Sequence, residues 1–222
     1  MARQLTFDLP VRESRKRGDF FVSDANALAV ARLDAVETWP NRKLVLVGPE
    51  GAGKTHLAHV WAEQNDATLG TVGGLLSSDI PGLDHPIALE VPDRMAPREE
   101  EALFHTHNHM QSSLLPLLLI ARTPPAQWSL GLPDLKSRME ATDTVRVNAP
   151  DDALLAAVMV KQFSDRQLAV APQVIDWLIR NMNRSFASAQ SLVDALDKTS
   201  LAEGRAVTRP LAQKVLSTLD GE

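Results

Sequence analysis

Residues 44–55 read Leu44-Val45-Leu46-Val47-Gly48-Pro49-Glu50-Gly51-Ala52-Gly53-Lys54-Thr55. The four apolar residues at its start predict a strand buried on both faces. The next eight have the spacing G-x-x-x-x-G-K-[ST], and His56, Leu57, Ala58, Val60 and Trp61 then follow a helical pattern. Strand, glycine-rich loop and helix, in that order, are the setting in which this motif cradles phosphate. Gly48, Gly51 and Gly53 let the loop, with Pro49, Glu50 and Ala52 between them, curl into a nest of inward N–H groups. The helix opening at Lys54 adds the positive end of its dipole. Lys54 is expected to reach the terminal phosphates and the Thr55 hydroxyl to sit on Mg2+. The expectation is a nucleotide site for ADP or ATP with Mg2+, the cradle suiting either nucleotide.

Working outward, Phe20-Phe21-Val22 reads as an apolar anchor. Ser23 or Asp24 can cap a helix over Ala25–Thr38, with Leu28, Val30, Ala31, Leu33 and Val36 on its apolar face. Downstream, Thr68–Val72 predicts a strand weakened by Gly70, and residues 73–84 a loop. Ile87-Ala88-Leu89-Glu90-Val91 is an apolar run carrying a carboxylate at its end. Pro97 followed by Glu99, Glu100 and Glu101 predicts a helix start, the helix running to about Gln111. Leu115–Ala121 reads as a central strand stopped by Pro124-Pro125. A short helix over Leu132–Met139 and a last strand over Thr144–Val147 follow. Strands alternating with helices predict an α/β fold with a doubly wound parallel sheet.

Beyond residue 150 the strand signal stops. Asp151 caps a helix over Ala153–Phe163, and three more helical patterns follow at Gln173–Met182, Ser188–Ala202 and Arg209–Leu219. The expected organisation is an N-terminal tail, 1–18, an α/β nucleotide-binding domain, 19–149, and a helical lid subdomain, 150–222. The tail has two readings: an unstructured segment, or a short linear motif presenting Gln4, Leu5, Phe7 and Leu9 to a partner's pocket.

The net charge of −5 argues against a protein that coats nucleic acid through bulk positive charge. The absence of cysteine removes disulfides, thiolate metal sites and cysteine nucleophiles. The longest apolar run, Leu114–Ala121, is interrupted by Pro116 and too short to span a bilayer, and no signal-peptide core is visible. A cytoplasmic protein with no membrane partner is expected.

Gly48–Thr55 with His56-Leu57, the preceding Phe21-Val22 and Asn26, and Pro124-Pro125 followed by Leu135-Lys136-Ser137-Arg138 resemble the AAA+ core of the bacterial initiator DnaA. The likeness runs from residue 19 to the end. Neither a helix-turn-helix domain after Glu222 nor a long domain before the core is expected. That short form, with its Gln-Leu tail, resembles the Hda-type regulatory homologues that inactivate the initiator.

The resemblance implies a negative regulator of DNA replication initiation. It implies that Gln4, Leu5, Phe7 and Leu9 bind the DNA polymerase III sliding clamp (its beta subunit), although Phe7 replaces the usual leucine and Asp8 the usual proline. It implies that Phe21, Val22 and Asn26 line the adenine side, and that Arg138 is an arginine finger acting on a neighbour's nucleotide. DnaA is the implied partner, DNA is contacted weakly or indirectly, and a homo-oligomer is open.

Several positions depart from an active ATPase of this class. Glu90 can reach the metal, but Val91 has no proton acceptor where a second acid is expected, and Asp93 lies beyond Pro92. Ile120-Ala121 offers no polar sensor. The lid reads Phe186-Ala187-Ser188-Ala189 where a sensor arginine is expected, with only Arg184 nearby. Positioning and charge stabilisation dominate phosphoryl-transfer catalysis, so intrinsic ATPase activity should be weak or absent. Two rivals stay open: an independent P-loop ATPase such as a helicase loader, and a non-catalytic clamp or DnaA adaptor. Arg138 also has a plain alternative, pairing with Asp134 one helical turn away.

His105 and His109 share a helix face at i, i+4, but no third ligand is near, so these and His107 read as partly exposed helix histidines, not a metal site. Ser77-Ser78 and Ser112-Ser113 lack a nucleophile's context and read as loop and helix end. Trp39, Trp61, Trp128 and Trp177 read as packing residues. Arg12, Arg15, Lys16 and Arg17 read as a solvated linker.

Overall fold

The computed structural model describes residues 21–75 and 80–219. The clamp-motif residues Gln4, Leu5, Phe7 and Leu9, the basic run Arg12–Arg17, Phe20, and Ser77-Ser78 lie outside the described residues.

Five parallel strands form one sheet in the order β2-β3-β4-β1-β5: β1 (Lys43–Val47), β2 (Thr68–Thr71), β3 (Ile87–Glu90), β4 (Leu117–Ala121) and β5 (Thr144–Arg146). All residues of the adjacent strands β1 and β4 are buried, which explains their unbroken apolar sequences. β2 lies at the edge, mostly exposed, where Gly70 costs the least packing.

Alternation along the strands divides the core into two layers. Leu44, Leu46, Leu118 and Ile120 face α1 (Ala27–Asp34), Trp39 and α2 (Lys54–Asn65), where the Trp39 and Trp61 rings stack at 5.5 Å. Val45, Val47, Leu117 and Leu119 face the other way, against Leu103 and Met110 of α3 (Pro97–Ser112) and Leu135 and Met139 of α4 (Pro133–Glu140). A third cluster joins α5 (Asp152–Asp165), α6 (Pro172–Asn181), α7 (Phe186–Glu203) and α8 (Arg209–Leu219) around Leu155, Met159, Leu178, Leu192 and Leu196. The α/β class is as expected, with a helical lid behind it. The Asp151 carboxylate caps α5 by accepting the Leu154 N–H at 2.7 Å.

The N-terminal helix departs from expectation. It starts at Ala27 rather than Ala25, and neither Ser23 nor Asp24 stands at its cap position, which Asn26 occupies. Asn26 is instead committed to the preceding turn, donating to the Phe21 carbonyl at 3.0 Å and accepting the Ser23 N–H at 2.9 Å. The helix buries the face carrying Ala29, Val30 and Leu33, which leaves Leu28 68% exposed and Ala31 exposed with it. Phe21 and Val22 are likewise exposed and are not an anchor. No helix among the described residues is long and apolar enough to cross a membrane.

Candidate nucleotide site

β1 delivers the chain to the loop at the carboxyl end of the sheet, where open α/β folds bind ligands. Gly48 passes so close to β5 that a Cβ there would lie 2.3 Å from the Val147 carbonyl oxygen. Gly51 and Gly53 have φ of 72° and 87°, the left-handed region that glycine enters without strain. The backbone N–H groups of Gly51, Gly53, Lys54 and Thr55 find no backbone acceptor among the described residues. Free N–H groups converging at a helix start are the donor set a phosphate needs.

Thr55 Oγ1 donates to Glu90 Oε1 at 2.8 Å, joining the loop to the end of β3. A hydroxyl and a carboxylate are hard oxygen ligands suited to Mg2+. Lys54 Nζ donates to the Pro49 carbonyl at 2.7 Å, so its ammonium is folded over its own loop. The Lys54 pKa is lowered, by burial first and by the Arg122 charge second, with Glu50, Glu90 and Asp93 acting in the opposite sense. These residues fit a Mg2+-bound nucleotide.

Two contributors escaped the sequence. Arg122, the residue after β4, pairs with Glu50 of the loop at 3.0 Å and with Asp93 beyond β3 at 3.6 Å. The mouth of the site therefore carries a cation next to the position where the expected polar sensor is missing. Its signal was its place directly after the central strand. The second is the start of α7. Phe186 N–H donates to the Gly51 carbonyl at 3.2 Å. A Cβ on Gly51 would meet Ser185 at 2.4 Å, and one on Gly53 would meet the Phe186 ring at 2.9 Å. In place of the expected sensor arginine, the lid seats an aromatic ring on the loop. Arg184 turns away, pairing with Asp152 at 3.0 Å.

Val91 is buried, while Asp93 is exposed and engaged by Arg122. Asn26 is buried beneath the Phe21–Ser23 turn, leaving Phe21 and Val22 exposed beside it.

Arg138 belongs to a different neighbourhood. It is exposed on α4, its guanidinium carbon 5.5 Å from the centre of the Phe104 ring. No ion pair joins it to Asp134 or any other acid among the described residues. Its charge acts on Lys43 and His107, at the amino end of β1. That end lies four strand residues, about 13 Å, from the loop end of the same strand. The N-terminus of α4 is fixed by buried Glu100, whose carboxylate accepts the N–H groups of Gly131, at 2.8 Å, and Leu132, at 2.9 Å.

One of the α3 histidines differs from the expected partial exposure. His107 is buried, because its place on the helix faces the sheet beside Lys43. His109 is half-buried, its Nε2 2.7 Å from the Leu83 carbonyl oxygen, and His105 stands edge-on to Phe104. No group of three acidic or histidine side chains among the described residues could hold a metal ion.

The fold is similar to that of domain III of the Thermotoga maritima replication initiation protein DnaA, with TM-score 0.80 at 18% identity, covering 95% of this chain and 98% of that one. AMPPCP-bound DnaA from Aquifex aeolicus aligns with TM-score 0.69 at 18% identity over 87% of this chain and 68% of that one. The Thermotoga maritima RuvB Holliday junction branch migration motor aligns with TM-score 0.67 at 18% identity over 87% and 69%. In sheet order, glycine loop and helical lid the chain shares one fold with these proteins.

Residues 151–216 match the family described as Hda, lid domain. That match covers the lid, which lies behind a core whose fold is similar to DnaA domain III.

Proposed function

We propose that this protein is a cytoplasmic negative regulator of replication initiation that acts by completing the active site of a neighbouring ATP-bound DnaA. The observation that carries this reading is the position of Arg138. It is exposed, free of acidic partners among the described residues, and placed away from its own glycine loop. An arginine so placed is presented outward, and such a group contributes about 10³–10⁵-fold in rate when it meets the phosphoryl being transferred.

The protein's own site supports binding over turnover. The Gly48–Thr55 loop would hold the phosphates of ADP or ATP, Thr55 and Glu90 the Mg2+, and Phe21, Val22 and Asn26 the adenine side. Bound Mg2+ neutralises phosphate charge. Val91, however, offers no oxygen to orient a water, and Asp93 is occupied by Arg122. Residues Gln4, Leu5, Phe7 and Leu9 would dock the protein on the sliding clamp, bringing it to replicated DNA without strong DNA contact of its own.

ATP turnover by this protein alone, by DnaA alone, and by both with DNA-loaded clamp tests the reading. Hydrolysis only in the full mixture supports it. Brisk turnover by this protein alone overturns it in favour of an independent ATPase.

A further inference from the structure

The two residues that lead into α4, Gly131 and Leu132, donate their N–H groups to the Glu100 carboxylate of α3, at 2.8 and 2.9 Å. Glu100 is 6% exposed, and breaking such bonds would leave a carboxylate buried without partners. The start of α4 is therefore fixed against α3. Leu135 and Met139, fully buried in the layer that contains Leu103, fix the rotation of α4 about its axis. With start and rotation both set, Arg138 is carried to one defined place beside α3.

Phe104 stands at that place, one helical turn after Glu100 on the same face of α3. The Arg138 guanidinium carbon lies over its ring, 5.5 Å from the centre. The ring is half-buried and meets the His105 ring edge-on at 5.6 Å. An exposed arginine with no contact spreads over many rotamers. A carboxylate would restrain it, but would occupy the same fork of N–H donors that a phosphate uses. A ring face attracts the charge and takes no donor. Among the described residues no acid pairs with Arg138 and its side chain donates no hydrogen bond. The arginine is restrained while its whole donor fork stays open.

We propose that Phe104 is a positioning residue for Arg138: its ring seats the guanidinium in one pose with every N–H donor free for the phosphates of a neighbouring nucleotide. The inference rests on the reading of Arg138 as a trans-acting finger, and it adds the group that narrows the finger's poses before the partner arrives. An exposed contact of this kind is weak enough for the partner's phosphates to draw the guanidinium off the ring.

Two readouts test this on the full-length protein. The first needs no partner: the Arg138 Hε resonance, assigned by its absence in Arg138→Ala, is followed by NMR. Shielded by the ring face, it should move downfield in Phe104→Leu and stay in place in Phe104→Tyr. An unchanged resonance in Phe104→Leu overturns the seat. The second is hydrolysis of DnaA-bound ATP with DNA-loaded clamp, measured against the concentration of this protein. Phe104→Leu should lower the saturating rate about two- to fivefold, the size of an exposed cation–π contact, with the half-saturating concentration unchanged. Phe104→Tyr, which keeps the ring face, should restore the rate. A wild-type saturating rate in Phe104→Leu, with Arg138→Ala inactive, overturns the positioning role while leaving the finger intact. A raised half-saturating concentration at an unchanged rate likewise overturns it, making Phe104 a docking residue. Full stimulation by Arg138→Ala overturns the finger itself, whatever Phe104 does.

Discussion

The hydroxyl of Thr55 and the carboxylate of Glu90 meet at 2.8 Å, although 35 residues separate them in the chain. That contact joins the glycine loop after β1 to the end of β3, and its two oxygens are the ones that would hold a divalent cation. Thr55→Val keeps the shape and removes the oxygen. Nucleotide affinity in Mg2+ should fall about 10- to 100-fold, with a much smaller change in EDTA, measured with a fluorescent ADP analogue.

Arg122 is held by Glu50 and Asp93, all of them well exposed, so Arg122→Ala should change folding stability by less than about 1 kcal/mol. Nucleotide affinity should fall all the same, because the mouth loses one of its two cations. The Lys54 pKa should move up, since Arg122 is one of the causes lowering it. A large loss of stability with unchanged affinity contradicts this assignment.

Gly53→Ala places a methyl group against Phe186 at a φ of 87°. Denaturant titration should show a loss of about 1–3 kcal/mol from backbone strain alone. Adding Phe186→Ala should recover only the part due to the collision between loop and lid. Full recovery would mean that the backbone conformation is not the constraint.

His107 is lowered to about 4 against an ordinary 6.5. The unfolded chain therefore binds more protons than the folded one between these values, and stability must fall as pH drops from about 6.5 towards 4. His107→Gln should flatten that part of the stability–pH curve. An identical acid limb in the variant would assign the proton uptake elsewhere.

Much of this architecture could be read from local pattern. The run Leu44–Val47, the glycine spacing and the helical continuation each depend on neighbours in sequence and give the first strand, the loop and the helix after it; the later apolar runs and helical patterns give the sheet and the lid helices. What stayed hidden depends on partners far apart in the chain. Asn26 looked like part of a helix until its bonds to Phe21 and Ser23 delayed the start. Glu100 looked like one of three first-turn acids, yet it is buried and binds the backbone at Gly131 and Leu132, 31 and 32 residues away. Arg122 lay outside the expected sensor position by one residue. His107 reads as surface in a polar helix until Lys43 is seen to meet it across 64 residues.

The central claim is that Arg138 acts on a nucleotide held by another protein. The most direct measurement is a single turnover of radiolabelled ATP preloaded on DnaA, with DNA-loaded clamp and either wild-type protein, Arg138→Ala or Lys54→Ala. The account predicts rapid conversion to ADP with the wild type and none above background with Arg138→Ala, although that variant still binds clamp and nucleotide. Lys54→Ala should keep part of the stimulation, its own site being regulatory. Wild-type conversion by Arg138→Ala would contradict the account and leave an adaptor that only brings DnaA to the clamp.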